Sequence, residues 1–222
     1  MTDASTARAE ILARIRSANR RAVASPTAEN DWQAIPRDYR QTGTLPPVEC
    51  VDLFAEQLHD YGAGVYRVQP EQIAATVAEI LHRRNAEKML FSPDIDPAWR
   101  GDTDCVWISD HGCSNQDLDG CDGIFTGCTV AIAATGTLCL CHAEAGPSPQ
   151  GRRAPTLIPD YHLCLVRADQ VVETVPQAMR ALEPYRTQPI TLISGPSATA
   201  DIEMTRIQGV HGPRTLDVVL AF

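Results

Sequence analysis

Between Val48 and Ile108 the chain alternates twice between helical and strand-like periodicity, and this rhythm constrains its fold more than any other feature. Val51, Phe54, Ala55 and Leu58 share one face of a helix predicted over 48–61, with Gly62 as its stop. A strand over 64–68 follows, then a helix over 72–81 with Ile73, Val77, Ile80 and Leu81 inward, then strands over 89–91 and 105–108. Strands separated by helices pair in parallel, because the crossover brings the chain back to the same end of the sheet. Past Gly123 the rhythm changes. Runs over 125–134 and 137–141 flank the Thr135-Gly136 turn, too short a link for anything but an antiparallel pair. Further β character is read at 156–158, 163–166, 191–193 and 216–220, with a helix over 171–182 despite Pro176. The sum is an α/β fold: a mixed, largely parallel sheet flanked by helices, with an inserted antiparallel hairpin region. Residues 5–23 read as a helix whose apolar stripe is only Ile11, Leu12 and Ile15. Residues 24–47, with Pro26, Pro36, Pro46 and Pro47, read as a linker or surface arm. The expected organisation is therefore an N-terminal helix and arm over 1–47 and an α/β domain over 48–222.

Composition narrows the function classes. A net charge of −9 excludes the basic footprint that nucleic-acid binding requires. Arg8, Glu10, Arg14 and Arg16 interrupt any secretory apolar core, and no stretch nears the ~20 apolar residues of a membrane span. The expected location is the cytoplasm. The eight cysteines lack cluster spacing: from Cys113 the intervals to Cys121, Cys128, Cys139 and Cys141 are eight, seven, eleven and two residues. They read as small buried apolar residues, and the alternation of a strand puts Cys139 and Cys141 on one side.

The run from Ala131 to Pro213 sets Gly- or Pro-rich turns carrying polar groups beside strand ends, which is how open α/β domains build ligand sites. Ser194-Gly195-Pro196-Ser197 follows a strand and precedes a candidate helix over 199–205. Such a helix start binds anions, but Asp201 and Glu203 in its first turn already answer the dipole. These carboxylates can hold an arginine or ligand hydroxyls, and a capped helix start is the plain alternative. Of Arg152 and Arg153, only one can face a site if they lie on a strand. The alternative for them is a salt bridge to Asp160, Asp201 or Glu203. Thr135-Gly136-Thr137 offers hydroxyls and amides at a hairpin tip, or is simply a turn. His211, between Gly209-Val210 and Gly212-Pro213, is a candidate acid–base or ligand group. His162 stands at a strand start. The expected ligand-binding set is Thr135, Gly136, Thr137, Arg152, Arg153, Ser194, Gly195, Ser197, Thr199, Asp201, Glu203 and His211, with no metal site. The ligand would be a small carboxylate or phosphorylated molecule.

Order and spacing of several segments resemble the LUD-domain family, in its lactate-utilization branch. They are Thr126-Gly127, Ala131-Ile132-Ala133, Thr135-Gly136-Thr137, Gly151-Arg152-Arg153, Thr156 to Asp160, His162, Ile193 to Ser197, Thr199 to Glu203 and Gly209 to Pro213. The resemblance covers about the last hundred residues strongly and extends to about Val48. It implies a fold of the NagB/RpiA/CoA-transferase-like kind. It also implies an accessory role in oxidising L-lactate to pyruvate beside iron–sulfur oxidoreductase subunits that carry the clusters, this chain having no cofactor of its own. The family often has acidic residues where this chain has Thr129 and Ala134, and Cys128, Cys139 and Cys141 stand outside its pattern. By analogy of fold alone, a stand-alone transferase or isomerase acting on a phosphorylated or CoA-linked molecule is the alternative, as is a non-catalytic ligand-binding or regulatory module.

Overall fold

The computed structural model describes residues 4–18, 27–143, 148–199, 207–208 and 212–222. The chain divides into two compact units, Met1–Tyr39 and Arg40–Phe222. In the first, helix α1 (Ala4–Ala18) is followed by α2 (Thr27–Gln33), a short helix inside the stretch expected to be a linker. Its side chains support it locally: Gln33 Nε2 donates to Glu29 Oε1 at 2.8 Å, one turn back.

The second unit is built on a six-stranded parallel sheet. Its strands are β1 (Gly64–Val68), β2 (Lys88–Phe91), β3 (Val106–Ser109), β4 (Gly123–Thr126), β7 (Tyr161–Arg167) and β12 (Thr215–Ala221), in the order β1-β12-β7-β4-β2-β3. The hairpin strands do not join this sheet. β5 (Val130–Ile132) and β6 (Thr137–Cys141) form a second, four-stranded sheet with β8 (Val171–Val172) and β9 (Ile190–Ile193), in the order β8-β5-β6-β9. A third pairing joins β10 (Ala198–Thr199) to β11 (Ile207–Gln208).

The layers follow from which faces are apolar. Helix α4 (Ile73–Arg84) lays Ile73, Val77, Ile80 and Leu81 against Met89, Phe125, Leu163, Leu165 and Val219 on one face of the parallel sheet. On the other face, Cys164, Val166, Leu216, Val218 and Leu220 meet α3 (Pro47–Asp60) and Cys128, Ala131, Ala133 and Leu138 of the small sheet. Helix α6 (Val175–Leu182) covers the far side of that sheet through Ala178 and Leu182, against Val130, Ile132, Cys139 and Cys141. The two cysteines of β6 thus do share one side. Near β3, α5 (Asn115–Asp119) buries Leu118 against Leu90 and Ile124. Because β7 and β12 are covered on both faces, they are buried along nearly their whole length, and apart from His162 and Asp217 their buried stretches run apolar without alternation.

Four expected elements differ. The run over 125–134 is not one strand: β4 ends at Thr126, β5 covers Val130–Ile132 in the second sheet, and Ala133–Thr135 is a 3-10 turn. Residues 156–158 are not a strand: Ala154–Thr156 forms a 3-10 turn, since Pro155 fixes its φ and has no N–H for a ladder. The helix expected from Val171 starts at Val175, because Val171-Val172 pairs with Ala131-Ile132 and Thr174 then caps the helix with Gln177. Thr199, expected to open a helix, belongs to strand β10, and residues 200–206 lie outside the described residues.

One charge sits inside the parallel sheet. Asp217, in the middle of the paired strands, is fully buried. Arg84 meets it with two hydrogen bonds, each at 3.0 Å, and Tyr161 Oη donates to it at 3.0 Å. Gly64 opposite leaves the room: a Cβ there would stand 2.1 Å from Asp217 Oδ1.

Candidate functional site

The strand order places a reversal between β2 and β4, the kind of switch point where open α/β sheets usually bind ligands beyond the carboxyl ends of their strands. Here the chain fills that place itself. Asp94 Oδ2 accepts from Gln150 Nε2 at 2.7 Å, and Ser92 Oγ and the Gly127 amide donate to Asp94 Oδ1. Gln150 Oε1 in turn accepts from Thr129 Oγ1 and the Cys141 amide, each at 2.7 Å. Gly127 permits the approach, since a Cβ there would lie 2.2 Å from Asp94 Oδ2. The space left nearby, lined in part by Gln150 and Arg152, is about 50 Å³.

A cleft of about 320 Å³ opens elsewhere, at the amino-terminal ends of β7 and β12 where they meet the end of β9. That volume suits a small ligand. Arg153, Thr156, Ser194 to Ser197, Gly212 and Pro213 line it, together with the buried His162 and Leu216. A wider groove of about 680 Å³ beside α4 is lined by exposed acids, among them Glu79, Glu87, Asp102 and Asp104. Solvated carboxylates of this kind define no specific ligand.

The two adjacent arginines part ways. Arg152 turns to Asp110: its Nε donates to Asp110 Oδ2 at 2.8 Å, a second nitrogen reaches the other carboxylate oxygen, and the Cys113 carbonyl accepts at 2.9 Å. Among the described residues its carboxylate partner is Asp110; of the three acids considered from sequence, Asp160 faces Arg214 at 3.5 Å, and Asp201 and Glu203 lie outside the described residues. Arg153 lines the cleft, and no carboxylate among the described residues pairs with it.

The hairpin tip reaches the cleft through hydroxyls. Thr135 Oγ1 and Thr137 Oγ1 are 2.7 Å apart, and Thr137 Oγ1 is 2.7 Å from Ser194 Oγ, which lines the cleft. Gly136 makes the tip possible, with φ +56° and close packing on Gln57 and Leu58 of α3. Gly195, at φ +86°, lies against Tyr61 in the same way. The Ser197 amide donates to the Pro213 carbonyl at 2.8 Å, tying the two loops of the cleft together. Thr199 continues from this loop into β10. Asp201, Glu203 and His211 lie outside the described residues.

His162 belongs to the cleft although sequence reasoning left it at a strand start. Its ring is 1 % exposed, and its Nε2 is 2.8 Å from Thr126 Oγ1. Its Nδ1 has no partner among the described residues. Burial pulls its pKa down to about 4, with His142 adding to the effect. His142 is wholly buried, and its own pKa falls to about 4, chiefly through burial. The Gly151 and Arg152 backbone oppose that shift, but neither makes a well-formed hydrogen bond with the ring. The signal for His162 was available: a lone basic residue opening an apolar run, His-Leu-Cys-Leu-Val, in a strand covered on both faces.

The cysteines are chemically quiet. All eight are free thiols, seven buried and Cys113 part-exposed. Burial raises the Cys139 thiol to about 12 and lifts Cys50, Cys105, Cys121, Cys128 and Cys141 as well. Among the described residues no three His, Cys, Asp or Glu side chains group so as to hold a metal, and no helix is long and apolar enough to cross a membrane.

The chain is thus a parallel α/β domain with a second small sheet and a compact cleft where the two meet. The family model described as LUD domain matches residues 51–221, and the chain belongs to the LUD-domain family. It is 37% identical over 190 residues to "Lactate utilization protein C" of Deinococcus radiodurans, covering 85% of this chain and 86% of that one. It is 24% identical over 180 residues to the protein of the same name in Bacillus subtilis, covering 74% and 71%. The crystal structure of a DUF162 family protein from Deinococcus radiodurans superposes with a TM-score of 0.68 at 32% identity, covering 81% of this chain and all of that one.

Proposed function

We propose that this chain serves lactate utilization by binding a small 2-hydroxy or 2-keto carboxylate, L-lactate or pyruvate, in the cleft of Arg153, Ser194 and His162. The observation that carries the reading is Arg153: a guanidinium on a cleft of about 320 Å³, beside a hydroxyl and a buried imidazole, without a carboxylate partner among the described residues. Arginine's planar fork matches a carboxylate with two parallel N–H donors. The names of the relatives support the choice of ligand. Oxidising lactate to pyruvate removes two electrons and two protons, so an acceptor is required. In this reading the acceptor belongs to iron–sulfur partner subunits, and the present chain holds and orients the carboxylate for them in the cytoplasm.

Calorimetric titration of the purified chain with L-lactate and with pyruvate tests the binding. A charge-assisted contact contributes about 1.5–3 kcal/mol, so Arg153→Ala is expected to weaken binding roughly 10- to 100-fold. Arg152→Ala should instead lower thermal stability and leave affinity within about threefold. No binding of either acid, or equal loss from both variants, would overturn the reading. In cells, deletion should abolish growth on L-lactate and spare growth on pyruvate. Turnover of a phosphorylated or CoA-linked compound by the isolated chain would establish the stand-alone enzyme instead.

A further inference from the structure

His162 lines the cleft, and the proton of its buried ring is set by the residue behind it. Thr126 is fully buried, so its hydroxyl proton must be given to some protein acceptor. Two acceptors are in reach: His162 Nε2 at 2.8 Å and Cys164 Sγ at 3.7 Å. An O–H···N bond of 2.8 Å is short and strong, whereas a thiol sulfur accepts weakly. Cys164 itself donates to the Gly127 carbonyl at 3.5 Å. The hydroxyl therefore donates to Nε2. A neutral imidazole that accepts at Nε2 carries its proton on Nδ1. Nδ1 is the ring nitrogen that finds no partner among the described residues, on a residue that lines the cleft.

We propose that His162 is a ligand-contacting residue of the cleft, a neutral imidazole locked by Thr126 in its Nδ1–H tautomer, which donates to the hydroxyl or keto oxygen adjacent to the ligand's carboxylate. The proposal rests on the carboxylate reading above and adds the second point of recognition. Arg153 takes the carboxylate, and His162 tells a 2-hydroxy or 2-keto acid from a plain one. A neutral donor suits a neutral oxygen, and a buried unpaired N–H strongly favours whichever ligand satisfies it. A neutral histidine that polarises a carbonyl is an established chemical device. The buried ring of His142 nearby reinforces neutrality, because a charge on either imidazole would oppose one on the other.

The tautomer is read directly by two-bond 1H–15N correlation on the unaltered, 15N-labelled chain. Nε2 is expected to show the shift of an unprotonated ring nitrogen, and Nδ1 that of a protonated one. Adding pyruvate should move the Nδ1 resonance, and adding propionate, which lacks the 2-oxygen, should not. Variants give an independent readout. His162→Asn keeps an amide N–H near the Nδ1 position and should bind pyruvate within about threefold of the parent. His162→Gln keeps a partner for Thr126 but loses that donor, and should bind at least tenfold more weakly while propionate affinity is unchanged. An Nε2–H tautomer, or pyruvate binding that needs Arg153 yet leaves His162 unmoved, overturns this proposal and spares the carboxylate reading. Failure of the unaltered chain to bind pyruvate and lactate overturns both.

Discussion

Substituting Gly136 should cost more than its backbone angle alone explains, and a second glycine of the same chain isolates the difference. Gly136 has φ +56°, where a side chain costs about 1–2 kcal/mol. An added Cβ would also stand 2.9 Å from Gln57 Cβ, 3.0 Å from the Gln57 carbonyl carbon and 3.1 Å from the Leu58 amide nitrogen. Two of these atoms are helix backbone, which cannot turn aside as a side-chain tip does. Relief requires the hairpin tip to lift from α3, an overpacking cost of about 1–3 kcal/mol. Gly62 ends α3 with φ +83°, and a Cβ there would meet nothing within 4 Å. Its role is the helix terminus, where its amide donates to His59 O at 2.8 Å and that of Ala63 to Leu58 O at 3.0 Å. Gly62→Ala thus carries only the backbone penalty, about 1–2 kcal/mol, and Gly136→Ala about 2–5 kcal/mol. The lower entropy of the unfolded chain with alanine is common to both and cancels in the comparison. Equilibrium urea unfolding measures each, and for a domain of this size each kcal/mol moves Tm by about 2–4 °C. Equal losses from the two variants would refute the argument that the tip is wedged against α3.

The two buried histidines make the fold acid-labile ahead of its carboxylates. Their folded pKa values, about 4, lie below the unfolded value near 6.5, so the folded chain binds fewer protons. Their contribution is complete above pH 6.5 and is lost as pH falls toward 4; for His162 this amounts to about 3 kcal/mol, and His142 adds in the same direction. Urea midpoints between about pH 7.5 and 4 should fall in the parent and fall less steeply in His142→Phe, which keeps His162, and a parent midpoint constant down to about pH 5 would refute the assignment. Thr129→Val should lose about 1 kcal/mol, the value of one hydrogen bond to Gln150. Thr129→Asp should lose more, about 2–3 kcal/mol, because it sets a second carboxylate beside the one glutamine that already serves Asp94. Urea unfolding at about pH 7.5 checks the order, and equal losses would show that Gln150 does not link the two positions.

The parallel sheet was legible because its evidence is periodic. Ile73, Val77, Ile80 and Leu81 announce α4 by spacing alone, and they are the residues it buries. The link of Thr135 and Gly136 was enough to show that β5 and β6 run antiparallel. What periodicity does not reveal is which sheet a strand joins, and the inserted hairpin stands in a second, four-stranded sheet. Short elements were misread where a local conflict decided them. Pro155 removes a ladder donor from the expected strand, and the β-branched pair Val171-Val172 delays the helix for a strand pairing with residues forty positions away. Arg152 and Arg153 were expected to face opposite ways if they lay on a strand; they lie in a loop instead, where Arg152 meets Asp110, on the turn after β3 and far away in sequence.

The position of the cleft follows from the same long-range pairings. A switch point between β2 and β4 would ordinarily host the ligand, but Gly127 lets Asp94 close over it, and Gln150 and Thr129 complete the closure. With that end filled by the chain's own hydrogen bonds, the second sheet brings another set of polar groups, Ser194 among them, to β7 and β12. Ser194 is held there by Thr137, Thr137 by Thr135, and the tip that carries both by Gly136 against α3. His162 reaches the cleft from the main sheet with its inner nitrogen fixed by Thr126. The cleft is therefore an interface between two sheets rather than the mouth of one. His162 and Ser194 are presented by a strand and by a loop tied to a tip wedged on a helix, so a ligand of the proposed kind would find their directions already set, with little lost to ordering them on binding.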